Sequence, residues 1–168
     1  MPFLTPEYYF RSVTRITPQF LRNKGISALV LDVDNTLAEH DSQEVSPEVM
    51  KWLAEMRKAG ICMMLASNNL YSRVEPFARK LGLQFASFCC KPSPKWLVAA
   101  VRHWGLPPSS IALVGDQIFT DVFAGHLVGV KVLLVKPISE DIKPTIRLKR
   151  RLEAPFLARY FRKGGKLL

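Results

Sequence analysis

Residues 28–37 read Ala28-Leu29-Val30-Leu31-Asp32-Val33-Asp34-Asn35-Thr36-Leu37, an apolar run that ends abruptly in carboxylates. A run of this kind, broken only by Asp32, reads as a strand covered on both faces, as in a parallel sheet. Residues two apart on a strand project to one side, so Asp32 and Asp34 converge beyond the strand's carboxyl end. An open α/β sheet places its ligands there. Two neighbouring carboxylates repel each other or share a cation, and a divalent metal with a phosphate makes the pairing chemically sensible. Taken alone, the same two acids could simply open a loop.

A second stretch tips the balance. Ile111 to Val114 is again apolar and runs into Gly115 and Asp116, with Asp121 following. Gly115 permits a tight turn and close backbone approach. Asp116 falls at the strand tip and Asp121 within the first turns of the next helix, about one turn further on. Two strands that both deliver acids to their carboxyl ends suggest a metal site. Ile61 to Ala66 forms a third strand pattern and ends in Ser67-Asn68-Asn69. These groups can donate to phosphate oxygens or cap a helix, and one end can do both. Lys91, between Cys90 and Pro92, can place a point charge on a phosphate.

In this order the residues resemble the four motifs of the haloacid dehalogenase superfamily: Asp32-Val33-Asp34-Asn35-Thr36, Ser67, Lys91, and Gly115-Asp116 through Asp121. The chain is most similar to the class IIIA, YqeG-type phosphatases, themselves similar to phosphatidylglycerophosphate phosphatases. Asp34-Asn35-Thr36-Leu37, Ser67-Asn68-Asn69, Gly115-Asp116-Gln117 with Thr120-Asp121, and Val135-Lys136-Pro137-Ile138-Ser139 carry that similarity. It departs at His126-Leu127, where a more polar pair is expected at the rim of the site.

The resemblance implies a Mg²⁺-dependent phosphomonoester hydrolase. Asp32 would be the nucleophile that forms an aspartyl-phosphate, and Asp34 the general acid and base. Mg²⁺ would be held by Asp32, the main-chain carbonyl of Asp34, and Asp116, with Asp121 orienting this set rather than binding directly. Ser67, with Asn68 nearby, and Lys91 would neutralise the phosphate oxygens. It also implies strand order 3-2-1-4-5, counting the strand at Ala28 as the first, which makes the strands of Asp32 and Asp116 neighbours.

The rest of the pattern fits a three-layer, doubly wound parallel sheet in one domain, because strands alternate with helices. Thr5-Pro6 and Thr17-Pro18 each look like helix starts, giving two short helices before the sheet. Helices are expected from Ser46-Pro47 to Lys58, up to Leu81, from Ser93-Pro94 to Gly105, and over Ile118–Leu127. Strands follow at Ile61–Ala66, Phe85–Phe88, Ile111–Val114 and Lys131–Val135. The intervals 38–46 and 67–91 leave no room for an inserted cap domain. An open site suits a bulky substrate or a lipid headgroup better than a small metabolite that must be enclosed.

The chain has 168 residues and a net charge of +10. From Ile142 to Leu168 nine Lys/Arg face one acid, Glu153, so this segment carries +8 and the other 141 residues only +2. Apolar residues are interleaved with these charges at roughly helical spacing, and Pro144 and Pro155 are expected to divide the segment into short helices. Such a tail fits an anionic membrane surface, nucleic acid, or packing of its apolar side onto the core with the charges solvated. No secretory signal is expected, because Met1-Pro2-Phe3-Leu4-Thr5-Pro6 lacks the charged-then-apolar pattern, and no run reaches the length that spans a bilayer. Three cysteines imply no disulfide framework, Cys62 is expected inside the core, and a cytoplasmic setting is expected, with peripheral contact to the inner membrane face as one of the tail's open uses.

Three functions remain open from sequence. One is a phosphatase acting on phosphatidylglycerophosphate in phospholipid synthesis. The second is a soluble nucleotide or sugar phosphatase, and the third a nucleic-acid or ribosome-associated binding protein. The complete catalytic set speaks against the third.

Overall fold

The computed structural model describes residues 3–140 and 143–168; Ile142, the expected first residue of the basic tail, lies outside them. Six parallel strands form one sheet: β1 (Tyr8–Phe10), β2 (Ala28–Leu31), β3 (Cys62–Ala66), β4 (Gln84–Ala86), β5 (Ile111–Gly115) and β6 (Lys131–Val135), in the order β1-β6-β5-β2-β3-β4. The expected order is present, with β1 added at the edge beside β6.

β2 shows why the apolar run is continuous. Leu29 and Leu31 face a core layer with α1 (Pro18–Asn23), α2 (Pro47–Lys58) and α3 (Tyr71–Leu81). Ala28 and Val30 face the opposite layer with α4 (Lys95–Trp104) and α5 (Phe123–Val128). All four β2 residues are buried, as a strand sandwiched between helices requires. β6 divides in the same way, with Leu133 and Val135 toward the first layer and Val132 and Leu134 toward a cluster joined by Phe156 and Leu157.

Local chemistry sets the helix ends. The Ser46 hydroxyl accepts from the Val49 amide to cap α2, and that of Thr17 accepts from Phe20 to cap α1, each ahead of a proline. Gly82 and Gly105 stop α3 and α4 in the left-handed conformation that glycine adopts without penalty.

Three expectations need correction. Thr5-Pro6 opens no helix. The aromatic run Tyr8-Tyr9-Phe10 pairs with Leu133–Val135 and buries Phe10, so strand preference and edge pairing prevail over the local capping signal. Pro155 does not divide the tail. One helix, α6 (Pro144–Arg162), runs through it, held on both sides of the proline by buried Glu153 and Tyr160. Cys62 is exposed, because it is the first residue of β3 and lies at the sheet's entry edge.

Between β2 and α2 there is a loop, and between β3 and Lys91 only α3 and β4, so no cap is inserted at either place. Among the described residues no helix is long and apolar enough to cross a membrane.

Candidate active site

The parallel register of β2 and β5 aligns Leu31 with Val114, and the Asp32 amide extends that ladder by donating to the Val114 carbonyl at 2.8 Å. The chain emerges from both strands side by side, Asp32 from one and Asp116 from the other. After β5 a π-helical turn, Ile118–Val122, precedes α5 and replaces the first half of the expected helix. It carries Asp121 back over the strand tip, where the Gln117 amide (3.2 Å) and the Thr120 hydroxyl (3.3 Å) donate to its carboxylate.

Gly115 has a steric reason. A Cβ there would lie 2.3 Å from the Asp121 carboxyl carbon, so any larger residue would displace this acid. With glycine in place, one oxygen from each of Asp32, Asp116 and Asp121 falls within 4.8 Å of the others.

Lys91 enters this cluster from the β4–α4 connection. Its ammonium donates to Asp32 at 2.5 Å and Asp121 at 2.9 Å, and its side chain is 2% exposed. Burial alone would lower its pKa, but the neighbouring Asp121 and Asp32 outweigh that and hold it above its ordinary value. Burial pushes Asp32 up to about 7, with the Asp121 and Asp34 charges adding to the effect and Lys91 opposing it. Asp116 is raised well above the usual carboxylate range, chiefly by burial, against the opposing charge of Arg150.

Asp34 lies outside the three-acid cluster but lines the same cavity. Its carboxylate accepts from the Asn69 side-chain amide at 2.7 Å and the Asp41 backbone amide at 3.1 Å, with Arg73 at 3.6 Å. Asn35 turns the chain with φ of 57°, a conformation that asparagine tolerates. Its side-chain oxygen accepts from the Ser139 hydroxyl at 2.9 Å.

These groups surround a cavity of about 160 Å³, lined among others by Asp32, Asp34, Asn68, Asn69, Lys91 and Asp121. Ser67 stands at the β3 tip just behind this lining, buried, its hydroxyl accepting from the Asn69 amide at 3.1 Å. Asn68 and Asn69 form the wall itself, and the Asn68 oxygen accepts the Lys91 amide at 2.7 Å.

The sequence did not point to α6 as part of the site. Ile146 and Lys149 line the cavity. The Arg150 guanidinium donates to both the main-chain oxygen and the carboxylate of Asp116. Glu153, buried, accepts from the amides of Ile118 at 2.7 Å and Phe119 at 3.1 Å, pinning the start of the π-helical turn. Its signal in the sequence was its isolation, a lone acid among nine cations. His126, by contrast, does not line the cavity. Its ring bonds the Phe3 carbonyl at 2.8 Å and Glu7 at 3.0 Å, tying the segment before β1 to α5.

The site suits a hard cation and a phosphate. Asp116 Oδ1 is buried and accepts no hydrogen bond among the described residues, within a cluster of three carboxylates. Anionic oxygens are the donors such a cation prefers. An open parallel sheet with acids and a buried lysine at its carboxyl edge is built to handle phosphoryl groups.

Comparison with known proteins narrows that class. Residues 7–129 match the model of the haloacid dehalogenase-like hydrolases. Over 162 residues the chain is 33% identical to the protein named Probable phosphatase YqeG of Bacillus subtilis (strain 168), covering 96% of this chain and 94% of that one. It is 27% identical to Phosphatidylglycerophosphate phosphatase 1, chloroplastic/mitochondrial, of Arabidopsis thaliana, across 98% of this chain but only 50% of that protein. The fold is similar to that of NagD from E. coli K-12, with a TM-score of 0.56 at 13% identity over 71% of this chain and 93% of that one. The chain belongs to the haloacid dehalogenase-like hydrolases and is a phosphatase of that family.

Proposed function

We propose that this phosphatase is Mg²⁺-dependent, works through an aspartyl-phosphate on Asp32, and acts on phosphatidylglycerophosphate. The observation that carries the chemistry is the Asp32–Asp116–Asp121 cluster with Lys91 inside it.

A carboxylate oxygen of Asp32 attacks phosphorus, an Asp32–phosphoryl bond forms and the ester P–O bond breaks. Asp34, held by Asn69 and Arg73, protonates the departing alkoxide and then takes a proton from the water that releases phosphate. Lys91 and the Asn68–Asn69 wall, with Ser67 behind it, face the charge that spreads over the transferred group. Asp32 and Asp116 would hold Mg²⁺ together with the Asp34 main-chain carbonyl. Asp121, whose carboxylate already accepts from Lys91, Gln117 and Thr120, would orient them. The ion, when bound, supplies positive charge to the phosphoryl oxygens.

The substrate assignment rests on the plant relative's name and on the open site. A peripheral stance at an anionic membrane is supported by Leu148 and Leu152, both more than half exposed on α6 among its lysines and arginines. Phe156, Leu157 and Tyr160 of the same helix pack inward. A soluble nucleotide or sugar phosphate is the alternative.

Phosphate release should be measured over vesicles containing phosphatidylglycerophosphate and a panel of soluble phosphomonoesters, with Mg²⁺ or a chelator. Asp32→Asn should lower turnover by about three orders of magnitude or more while the fold persists. A folded Asp32→Asn enzyme with near-normal turnover would overturn the nucleophile assignment, and fastest release from a nucleotide or sugar phosphate would overturn the lipid assignment.

A further inference from the structure

We infer that a second, basic cavity beside the catalytic one, formed by Lys136, Arg147, Arg150 and Arg151, binds a second phosphate group carried by the substrate. The inference rests on the phosphatase function proposed above and adds what the substrate must carry besides the phosphate that is removed.

This cavity measures about 500 Å³, within the range typical of small-molecule sites. It lies between the segment after β6 and the first turns of α6. Among the described residues, four cationic side chains line it against one acid, Glu140. Arg150 is engaged with Asp116 and Glu153. Among the described residues no carboxylate forms an ion pair with Lys136, Arg147 or Arg151. Arg147 and Arg151 stand four apart on α6, where like charges repel across one helical turn. An anion between them relieves that repulsion, and guanidinium groups match phosphate with paired donors.

Two walls join this cavity to the catalytic one. Asn35 lines the catalytic side and accepts from Ser139, which lines the basic side. On α6, Ile146 and Lys149 face the catalytic cavity, whereas Arg147, Arg150 and Arg151 face the basic one. Successive residues of a helix point about 100° apart, so one helix divides the two cavities and serves both. A substrate with its scissile phosphate at Asp32 can cross this ridge and place a second phosphate, a few bonds away, among the arginines. A ligand with one phosphate places no anion between Arg147 and Arg151.

The test compares two soluble substrates with the same scissile ester, a phosphate on a primary glycerol hydroxyl. One is sn-glycerol 3-phosphate. The other is glycerophosphoglycerol phosphate, in which the same glycerol also carries a phosphodiester. The wild-type enzyme should prefer the second by about tenfold or more in kcat/KM, through KM, since a hydrogen bond to a charged group commonly yields that much selectivity. Arg147→Gln with Arg151→Gln should erase the preference and leave sn-glycerol 3-phosphate kinetics unchanged, while the paired Lys substitutions should restore part of it.

Equal kcat/KM for both substrates in the wild-type enzyme refutes the subsite whether or not the variants fold. A preference that survives the Gln substitutions refutes it too. If discrimination appears only with phosphatidylglycerophosphate in phosphatidylcholine vesicles, the cations read a surface and the inference fails. Hydrolysis of neither substrate, in solution or in vesicles, removes the proposed function and the subsite with it. Hydrolysis of both without discrimination removes the subsite alone.

Discussion

Among the described residues Lys91 is the positive charge that Asp32 and Asp121 share, and replacing it with Met removes that charge while keeping most of the stem's volume. Its ammonium is buried 2.5 Å from one carboxylate and 2.9 Å from the other, so the loss leaves uncompensated negative charge in a poorly solvated place. Breaking a buried pair from one side costs about 3–5 kcal/mol, or about 10 °C in Tm for a chain of this size. Asp32 can limit the loss by taking up a proton. Its pKa already stands at about 7 with Lys91 present, and Lys91 is what holds it down. Without Lys91 it rises further above its unfolded value, so the folded state binds more protons than the unfolded one and stability falls as pH rises through that range. Thermal unfolding followed by circular dichroism in chelator should therefore show a larger Tm deficit for Lys91→Met near pH 8 than near pH 6. Added Mg²⁺ should recover part of the deficit near pH 8, because binding to the folded state alone stabilises it. An unchanged Tm near pH 8 in chelator, or a deficit independent of pH, would refute this account of the cluster.

Two further outcomes test the supports around the site. Glu153→Ala should destabilise by about 2–4 kcal/mol in urea, since two backbone donors lose a buried, charged acceptor, whereas Glu153→Gln should lose less; an unchanged midpoint for Ala would mean that α6 does not hold the π-helical turn. The hydrogen bond that the His126 ring donates to the Glu7 carboxylate raises the pKa of His126, so the stability it adds is complete below its ordinary value of 6.5 and fades as pH rises through the raised one. Stability against pH for wild type and His126→Gln should converge toward alkaline pH, and parallel curves would contradict the assignment.

The acid-bearing strand tips were legible because their signals are local. β2 and β5 are apolar on both faces and end in acids, and the register between two neighbouring parallel strands does the rest. Gly115 was legible as a position of close approach, though not as the space taken by the Asp121 carboxyl. β1 was misread because Thr5-Pro6 imitates a cap, while the pairing that decides the matter is with β6, more than a hundred residues away. The contribution of α6 was hidden for the same reason. Arg150 meets Asp116 and Glu153 meets Ile118 through tertiary packing, and no periodicity within the tail encodes those partners. Pro155 argued locally for a break, and packing on both sides overrode it.

The position of α6 in the chain also orders the birth of the enzyme. A polypeptide emerges from the ribosome amino end first, and its early parts begin to fold while the remainder is being made. All six strands precede α6, so the sheet can assemble around Asp32 and Asp116 while the guanidinium that grips Asp116 and the carboxylate that anchors Ile118 are still unsynthesised. Nascent chains halted before α6 would carry Asp32, Asp116 and Asp121 without those two supports. The hold on Asp116 and on the π-helical turn therefore waits for the docking of one helix.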